Sequence, residues 1–562
     1  LEEVTQFLSA KDFRHSVNPI TKRHSYTGLL TVGDTGYSLE LRYSEGIYNF
    51  PEAYLTEWGS DPELRESLHL RNINSDGKVC YVDESQTWWD HHQAVGMTVA
   101  ALSDIAAVID RNRRGEWQST EFLRDFDGYW QGGGELYRVA EAQGRGAYFG
   151  VQHSERYWIL PEGDIPHWLS GGKPTGLWVP LQLKLLPPPP VHCWPPKTTR
   201  EFAQWVGLGT LTKVLERLPQ NGGKGSKRGK GRSREIPGIA RLLLSWPDGA
   251  GHSEPRVSVL FPLNPLVVKE IRQGNFKSAA KMLSGSADEI QRFSVLNATP
   301  AYIHHRNLPE GYRTLKDHRV VLVGAGTIGG FLAAQLCSMG AGYGPRGALH
   351  IIDPDRLKPE NIARHLLGMP DIGKNKAIAL ADHLRAQYPH LNIESHDCSV
   401  WECQEAFKGK TLVINATGVI SVGLGLEEMR SHQSGSVPIL HSWIEGHGLA
   451  STAFFSSGKS GDACFRCLVQ HRPEGYRFRC TIAKNEADIE PVFQGCHQSF
   501  FPYLVTASNA AAVQAMTMIA DWLNTRLKST LQYNILRPEL VESRPDSTPK
   551  QDATCSICSK KH

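Results

Sequence analysis

His318–Gly342 reads HRVVLVGAGTIGGFLAAQLCSMGAG, and this stretch sets the fold of the C-terminal half. An apolar strand ending at Val323 runs into Gly324, Gly326 and Gly329, and a helix with apolar periodicity follows. The first glycine permits the turn, the second lets backbone approach a phosphate, and the third lets helix pack on strand. Alone the pattern says nucleotide, and NAD would be the common guess. Asp353 closes the next strand in LHIIDPDRLKPENIAR and would take the ribose hydroxyls of NAD or ATP alike. Asn361 and Arg364 follow eight and eleven residues later, and Lys376 stands twelve beyond Arg364. Hydride transfer has no need of that cationic pair. Attack on an α-phosphate does, because Arg and Lys stabilise the charge that spreads over a triphosphate as pyrophosphate leaves.

Outward from this segment, composition sets the limits. A chain of 562 residues exceeds one hydrophobic core, so two or three domains are expected. A formal net charge of +3 is close to neutral and does not by itself call for a nucleic-acid partner. No run of eighteen apolar residues occurs, so no membrane span is expected. The opening LEEVTQFLSAKDF is acidic and amphipathic, unlike a signal peptide. Eleven cysteines, an odd number containing two CxxC pairs, point to a reducing cytoplasm.

Three zones are expected. Residues 1–150 read as a helix, several alternating strands and a helix, an α+β pattern. Residues 151–299 read as a linker or insert region. It holds four successive prolines in LKLLPPPPVHCWPPK and a basic, glycine-rich loop at 221–235, either solvated or facing an acidic or phosphate-bearing partner. Residues 300–562 alternate strands and helices and read as α/β, Rossmann-like.

Cysteines carry the remaining chemistry. DACFRCL supplies Cys464 and Cys467, and DATCSICSK supplies Cys555 and Cys558; two such knuckles make a closed four-cysteine zinc site of structural type. Between them lie Cys480 and Cys496. Cys496 precedes a long Ala-rich helix by a few residues, and a helix N-terminus favours thiolate, so it is preferred over Cys480 as an acyl-accepting nucleophile. Cys80, in HLRNINSDGKVCY, is either a small core residue or a nucleophile. The paired histidines His91-His92 and His304-His305 are read as surface residues, since neighbours in sequence point apart.

The spacing Asp353…Asn361…Arg364…Lys376 resembles the adenylating domain of ubiquitin-activating enzymes and their bacterial sulfur-carrier relatives, the ThiF/MoeB family. That resemblance implies ATP bound by Gly324, Gly326, Gly329, Asp353, Asn361, Arg364 and Lys376, with Mg²⁺. It also implies zinc on the four knuckle cysteines and a homodimer in which Arg306 or Arg313 reaches the partner's ATP. One departure stands out: LVINATGVI has Asn415 and Gly418 where the family carries acidic residues, leaving Asp355 as a possible metal-binding carboxylate.

The N-terminal zone resembles a ubiquitin-conjugating enzyme. Asn72 lies eight residues before Cys80 and Trp88 eight after, as in that family, and YSEGIYNFPEAYL resembles its strand ending in a Phe-Pro step. Arg71 and Leu70 depart from the family's Pro and His. The resemblance implies that Cys80 is the conjugating nucleophile and Asn72 its oxyanion donor. A fusion of the two resembles those of CBASS antiphage and related bacterial conjugation operons, down to GEWQSTEFLRDFDGYWQ. The implied donor is a ubiquitin-like protein or the C-terminus of a nucleotide cyclase, and the implied acceptor is a target lysine. Two other readings stay open: a sulfur-carrier adenylyltransferase with a docking module, and an inert nucleotide-binding scaffold.

Overall fold

The computed structural model describes residues 1–43, 49–56, 73, 77–83, 86–114, 126, 130, 132–140, 147–161, 165–183, 195–218, 238–247, 254–432, 437–473, 477–493 and 499–559. Asn72, Cys496 and the basic loop 221–235 lie outside them. The chain divides into two units, Leu1–Thr299 and Pro300–His562.

The first unit opens with α1 (Glu2–Ser9), then the antiparallel meander β1 (Arg14–Val17), β2 (His24–Val32), β3 (Thr35–Tyr43), β4 (Glu52–Leu55) and β5 (Lys78–Val79) in spatial order 1-2-3-4-5. Period-two alternation sends Tyr37, Leu39, Leu41 and Tyr43 of β3 to one face. There they meet Val4 and Leu8 of α1 and Ile105 and Ile109 of α2 (Ala94–Arg113). Each such side chain contributes roughly 1.5–3 kcal/mol by burial. The stretch His91–Arg113 is long and apolar enough to cross a membrane by composition, yet it packs into this core. The Tyr43 hydroxyl bonds to Thr98 at 2.7 Å and ties β3 to α2.

The region expected to be a linker or insert, together with the end of the preceding zone, builds a closed barrel. Its strands are β6 (Glu135–Arg138), β7 (Tyr148–His153), β8 (Arg156–Pro161), β9 (Lys173–Gln182), β10 (Ile239–Ser245), β11 (Pro255–Pro262) and β12 (Gln291–Asn297). They close in the order 10-11-12-6-8-7-9, around Leu136, Ile159, Trp178, Leu243 and Phe293. Closure leaves no strand edge open, and full pairing holds short strands that would be marginal alone. Helices α3 (Thr199–Val206), α4 (Leu208–Arg217), α5 (Pro265–Arg272) and α6 (Phe276–Gly285) share a second core with the barrel. Phe126 and Trp130, from the GEWQSTEFLRDFDGYWQ stretch, are fully buried in it against Trp205 and Trp246.

The second unit is a seven-stranded sheet with helices on both faces. After α7 (Pro300–His305) come β13 (Arg319–Val323), α8 (Thr327–Ser338), β14 (Ala348–Ile352), α9 (Lys376–Gln387), β15 (Ile393–His396), β16 (Leu412–Asn415), α10 (Ile420–Ser431), β17 (Ile439–Glu445) and β18 (Ala450–Ser456). The short helix α11 (Phe465–Leu468), the hairpin β19 (Val492–Phe493) and β20 (Ser499–Phe500), α12 (Val505–Leu523) and β21 (Leu531–Ile535) complete it. Strand order is 15-14-13-16-17-18-21, parallel from β15 to β17 and antiparallel beyond. Leu332 and Leu336 of α8 pack with Ala512 and Met516 of α12 on one face; Val400, Phe407 and Leu426 cover the other. The order reverses at β13, between β14 and β16, so a crevice opens at the strands' carboxyl ends.

Candidate functional site

That crevice is a cleft of about 560 Å³ lined from β13, β14 and β16 by Gly324, Asp353 and Ala416, and by Lys376. Gly324 has φ +98° and opens the turn after β13. A Cβ on Gly329 would lie 1.8 Å from the Gly324 carbonyl oxygen, so only glycine lets α8 pack this close. A Cβ on Gly326 would meet nothing within 4 Å, because that position faces the cleft.

Asp353 is buried, and its carboxylate accepts from the Ala325 and Asp355 N–H groups at 2.7 and 2.8 Å. It therefore holds the glycine loop in register. Burial pushes its carboxyl up, and the two N–H groups partly offset that. His365 grips the same loop from the other side. The Leu367 N–H donates to its Nδ1, so its Nε2–H donates to the Ala325 carbonyl at 2.8 Å. Lys376 starts α9 with its ammonium 3.0 Å from Asp355, whose carboxylate is largely exposed. Asn361 lines the cleft while its side-chain oxygen accepts the Lys358 N–H.

Arg364 is placed differently from Lys376. One guanidinium N–H donates to the Phe501 carbonyl at 2.9 Å, and the group stacks over Tyr503 at 4.4 Å. Phe501 and Tyr503 line the cleft, and Tyr503 bonds to Thr327 of the glycine loop. Arg364 thus clamps the approach to α12 against the cleft, and among the described residues its buried Nε–H has no partner. An ammonium and backbone bared by Gly326 suit the phosphates of ATP.

Asn415 and Gly418 have a structural account. Arg430 and His441 both pair with the fully buried Glu427. Burial pushes Glu427 up, but its partners outweigh that and hold it below the usual carboxylate range. His441, kept neutral by burial, donates Nε2–H to Glu427, so its Nδ1 accepts from the Asn415 amide at 3.3 Å. The Asn415 oxygen accepts from the Thr417 hydroxyl and N–H. A carboxylate at 415 would face the His441 lone pair. Gly418, at φ +67°, turns the loop open beside the cleft.

Sequence reading missed several groups here. Trp401 lines the cleft with its ring set against Gly425, where an added Cβ would lie 2.3 Å away. A disulfide, Cys398–Cys403, brackets its segment. His304 is buried rather than on the surface, 2.9 Å from His390. No periodicity or motif marks any of them.

The knuckle cysteines converge as expected. Sγ–Sγ distances are 3.9 Å for Cys464–Cys467, 3.6 Å for Cys464–Cys555 and 3.5 Å for Cys467–Cys558. Zn–S bonds of about 2.3 Å give a tetrahedral edge of about 3.8 Å, so the set fits zinc. His350, Glu394 and His396 also gather. Arg319 donates to His350 Nε2 at 2.9 Å, however, leaving Nδ1 protonated toward His396, which suits a hydrogen-bonded cluster rather than a metal. Cys480 is buried with its thiol pushed up to about 12, which disfavours the thiolate there. Arg306 and Arg313 are exposed.

In the first unit, Cys80 ends β5 and is the one exposed thiol among the described residues that is not disulfide-bonded. Ile73 bridges Val79 beside it, and the Tyr81 hydroxyl donates to the Pro51 carbonyl at 2.7 Å. Trp88, matched to the family's tryptophan, is 74% exposed; Trp89 takes the core place, against Phe50 and Tyr43.

The profile of the ThiF family matches residues 304–557, and that of prokaryotic E2 family B matches residues 47–139. The chain joins an E2-like unit to a ThiF-type, E1-like unit. The ATP-dependent ubiquitin transferase-like protein Cap2 of Pseudomonas aeruginosa is 28% identical over 540 residues, 93% of this chain and 92% of the relative. Cap2 of Escherichia coli is 26% identical over 578 residues, 94% and 92% respectively. The solved structure of E. coli MccB with ATP covers 43% of this chain and 67% of its own at 15% identity, with a TM-score of 0.32. The E1-like unit is that of an ATP-dependent activating enzyme.

Proposed function

We propose that the chain activates a protein C-terminus with ATP and conjugates it to a lysine through two of its own cysteines. The donor carboxylate attacks the α-phosphorus, the bond to the β-phosphate breaks, and pyrophosphate leaves. Lys376 and the loop from Gly324 to Gly329 hold the phosphates, and Asp353 fixes that loop; Asn361 and Arg364 complete the set. Asp355, at the cleft beside Lys376, would hold Mg²⁺, which would neutralise charge on the leaving group. The Cys496 thiolate then takes the acyl group as a thioester and AMP leaves, Cys80 takes the acyl group by exchange, and a lysine amine forms the isopeptide bond and frees the Cys80 thiol, with Asn72 donating to the oxyanion. Zinc on Cys464, Cys467, Cys555 and Cys558 ties the C-terminal tail to α11.

The observation that carries the reading is an exposed thiol ending the E2-like sheet in the same chain as an E1-like nucleotide cleft. Likeness to Cap2 over nine-tenths of the chain supports it. The donor is a ubiquitin-like protein or a cyclase C-terminus, the setting antiphage defence of the CBASS type, and the assembly a homodimer through the E1-like unit.

A Cys80→Lys variant, expressed with its operon neighbours, tests this. An isopeptide adduct at residue 80, seen by denaturing mass spectrometry and abolished by Cys496→Ala, is the expected result. An adduct that survives Cys496→Ala removes the two-thiol relay; no adduct at all removes conjugation. The absence of a carboxylate at 415 and 418 favours a second reading, nucleotide binding without catalysis. It predicts bound ATP and no pyrophosphate exchange.

A further inference from the structure

Beside the nucleotide cleft lies a second cavity of about 200 Å³. Gly418, Val419, Ile444 and Gly446 line both, so the two communicate along the end of β17. The walls of the smaller cavity are Trp443, Phe465, Val469, Phe478 and Ile489. Several of its polar groups are already engaged. His441 and Asn415 belong to the Glu427 chain of hydrogen bonds, and the buried Glu445 carboxylate accepts the Ile482 N–H at 3.1 Å. Burial keeps the Cys480 thiol neutral. A charged side chain entering here would lose its hydration with little in return, whereas an apolar one would be well matched. A cavity of about 150 Å³ accommodates benzene, so this one holds a single side chain up to the size of phenylalanine.

We propose that this cavity receives an apolar side chain from the donor's C-terminal tail, so that the chain selects tails bearing one over tails built of glycine alone. The inference rests on the adenylation reading, in which the donor carboxylate meets ATP in the adjoining cleft. An extended tail advances about 3.3 Å per residue, and the lining shared by the two cavities puts the selected side chain among the last few residues before the carboxylate. The wall residue Phe465 sits between Cys464 and Cys467, so the first knuckle also shapes the selectivity pocket.

The test is pyrophosphate exchange by the full chain with saturating ATP and a series of synthetic decapeptides with free carboxyl termini. Their last three positions are varied singly among Gly, Leu, Phe, Asp and Arg. Leu or Phe at one position should raise kcat/KM about tenfold or more over Gly, while Asp and Arg should not. Ile489→Trp, which fills the cavity, should erase that preference while exchange with all-glycine tails persists. Phe478→Ala, which enlarges it, should shift the preference toward Phe; thermal unfolding confirms that both variants fold. Equal exchange across the series, or a preference for a charged residue, overturns the pocket assignment and leaves adenylation standing. No exchange with any peptide, while ATP still binds, overturns the adenylation reading and this inference with it.

Discussion

At the residue scale, the glycine loop separates packing from binding. Gly329 has no room for a Cβ, whereas Gly326 has room but borders the cleft. Gly329→Ala should therefore lose about 1–3 kcal/mol of stability and its nucleotide affinity together. Gly326→Ala should stay within about 0.5 kcal/mol of the parent and lose affinity only. Urea unfolding and titration with a fluorescent ATP analogue measure the two effects. Equal destabilisation by both would refute the distinction. The Asn415 amide follows the same logic: it is read as a missing acid in sequence, but the His441 tautomer requires a donor there.

At the scale of elements, two tertiary clamps make predictions. The knuckles join α11 to the C-terminal tail through four sulfurs. Purified chain should carry one zinc per four-cysteine set by elemental analysis, and Cys555→Ser should lose it along with thermal stability. A Cys555→Ser protein with full zinc content would dismiss the assignment. The second clamp joins α7 to the loop after α9. His304 donates Nδ1–H to the Ser338 carbonyl, leaving its Nε2 to accept from His390. Burial first, then the neighbouring His304, lowers His390 from 6.5 to about 4. Both rings are neutral in the fold at neutral pH, so the unfolded chain takes up protons first on acidification. This contribution to stability is complete above about pH 6.5 and declines toward pH 4. Comparing urea midpoints at pH 7.5 and 5, the parent should lose more than His390→Gln; an equal loss would remove the pair as the cause.

At the scale of the whole molecule, the proposed relay gives tethering a measurable role. A fused second thiol meets its partner at an effective concentration near millimolar. Supplied as separate polypeptides 1–299 and 300–562 at about 1 μM, the two units should transfer to Cys80 roughly 10³-fold more slowly than the intact chain. Quench-flow measurement of the Cys80 thioester reads this directly. An unchanged rate would mean that transfer needs no tether.

What the sequence determined by itself is what local spacing determines. The three glycines, the strand ahead of them and the acid at the end of the next strand follow from backbone sterics, and the CxxC pairs from the reach of two thiols to one ion. The alternation in β3 likewise gave its buried face. What only the tertiary structure decided involves partners far apart in the chain. The barrel closes β6 against β12 across more than 150 residues, so a region with linker-like stretches proved to hold a core. Trp89 rather than Trp88 fills the E2-like core, because the turn into α2 sets which neighbour faces inward. Cys480 and Cys80 are alike as letters; burial pushes one thiol up to about 12, while the end of an edge strand exposes the other. Burial and desolvation act through all three dimensions, and a one-dimensional pattern does not record them.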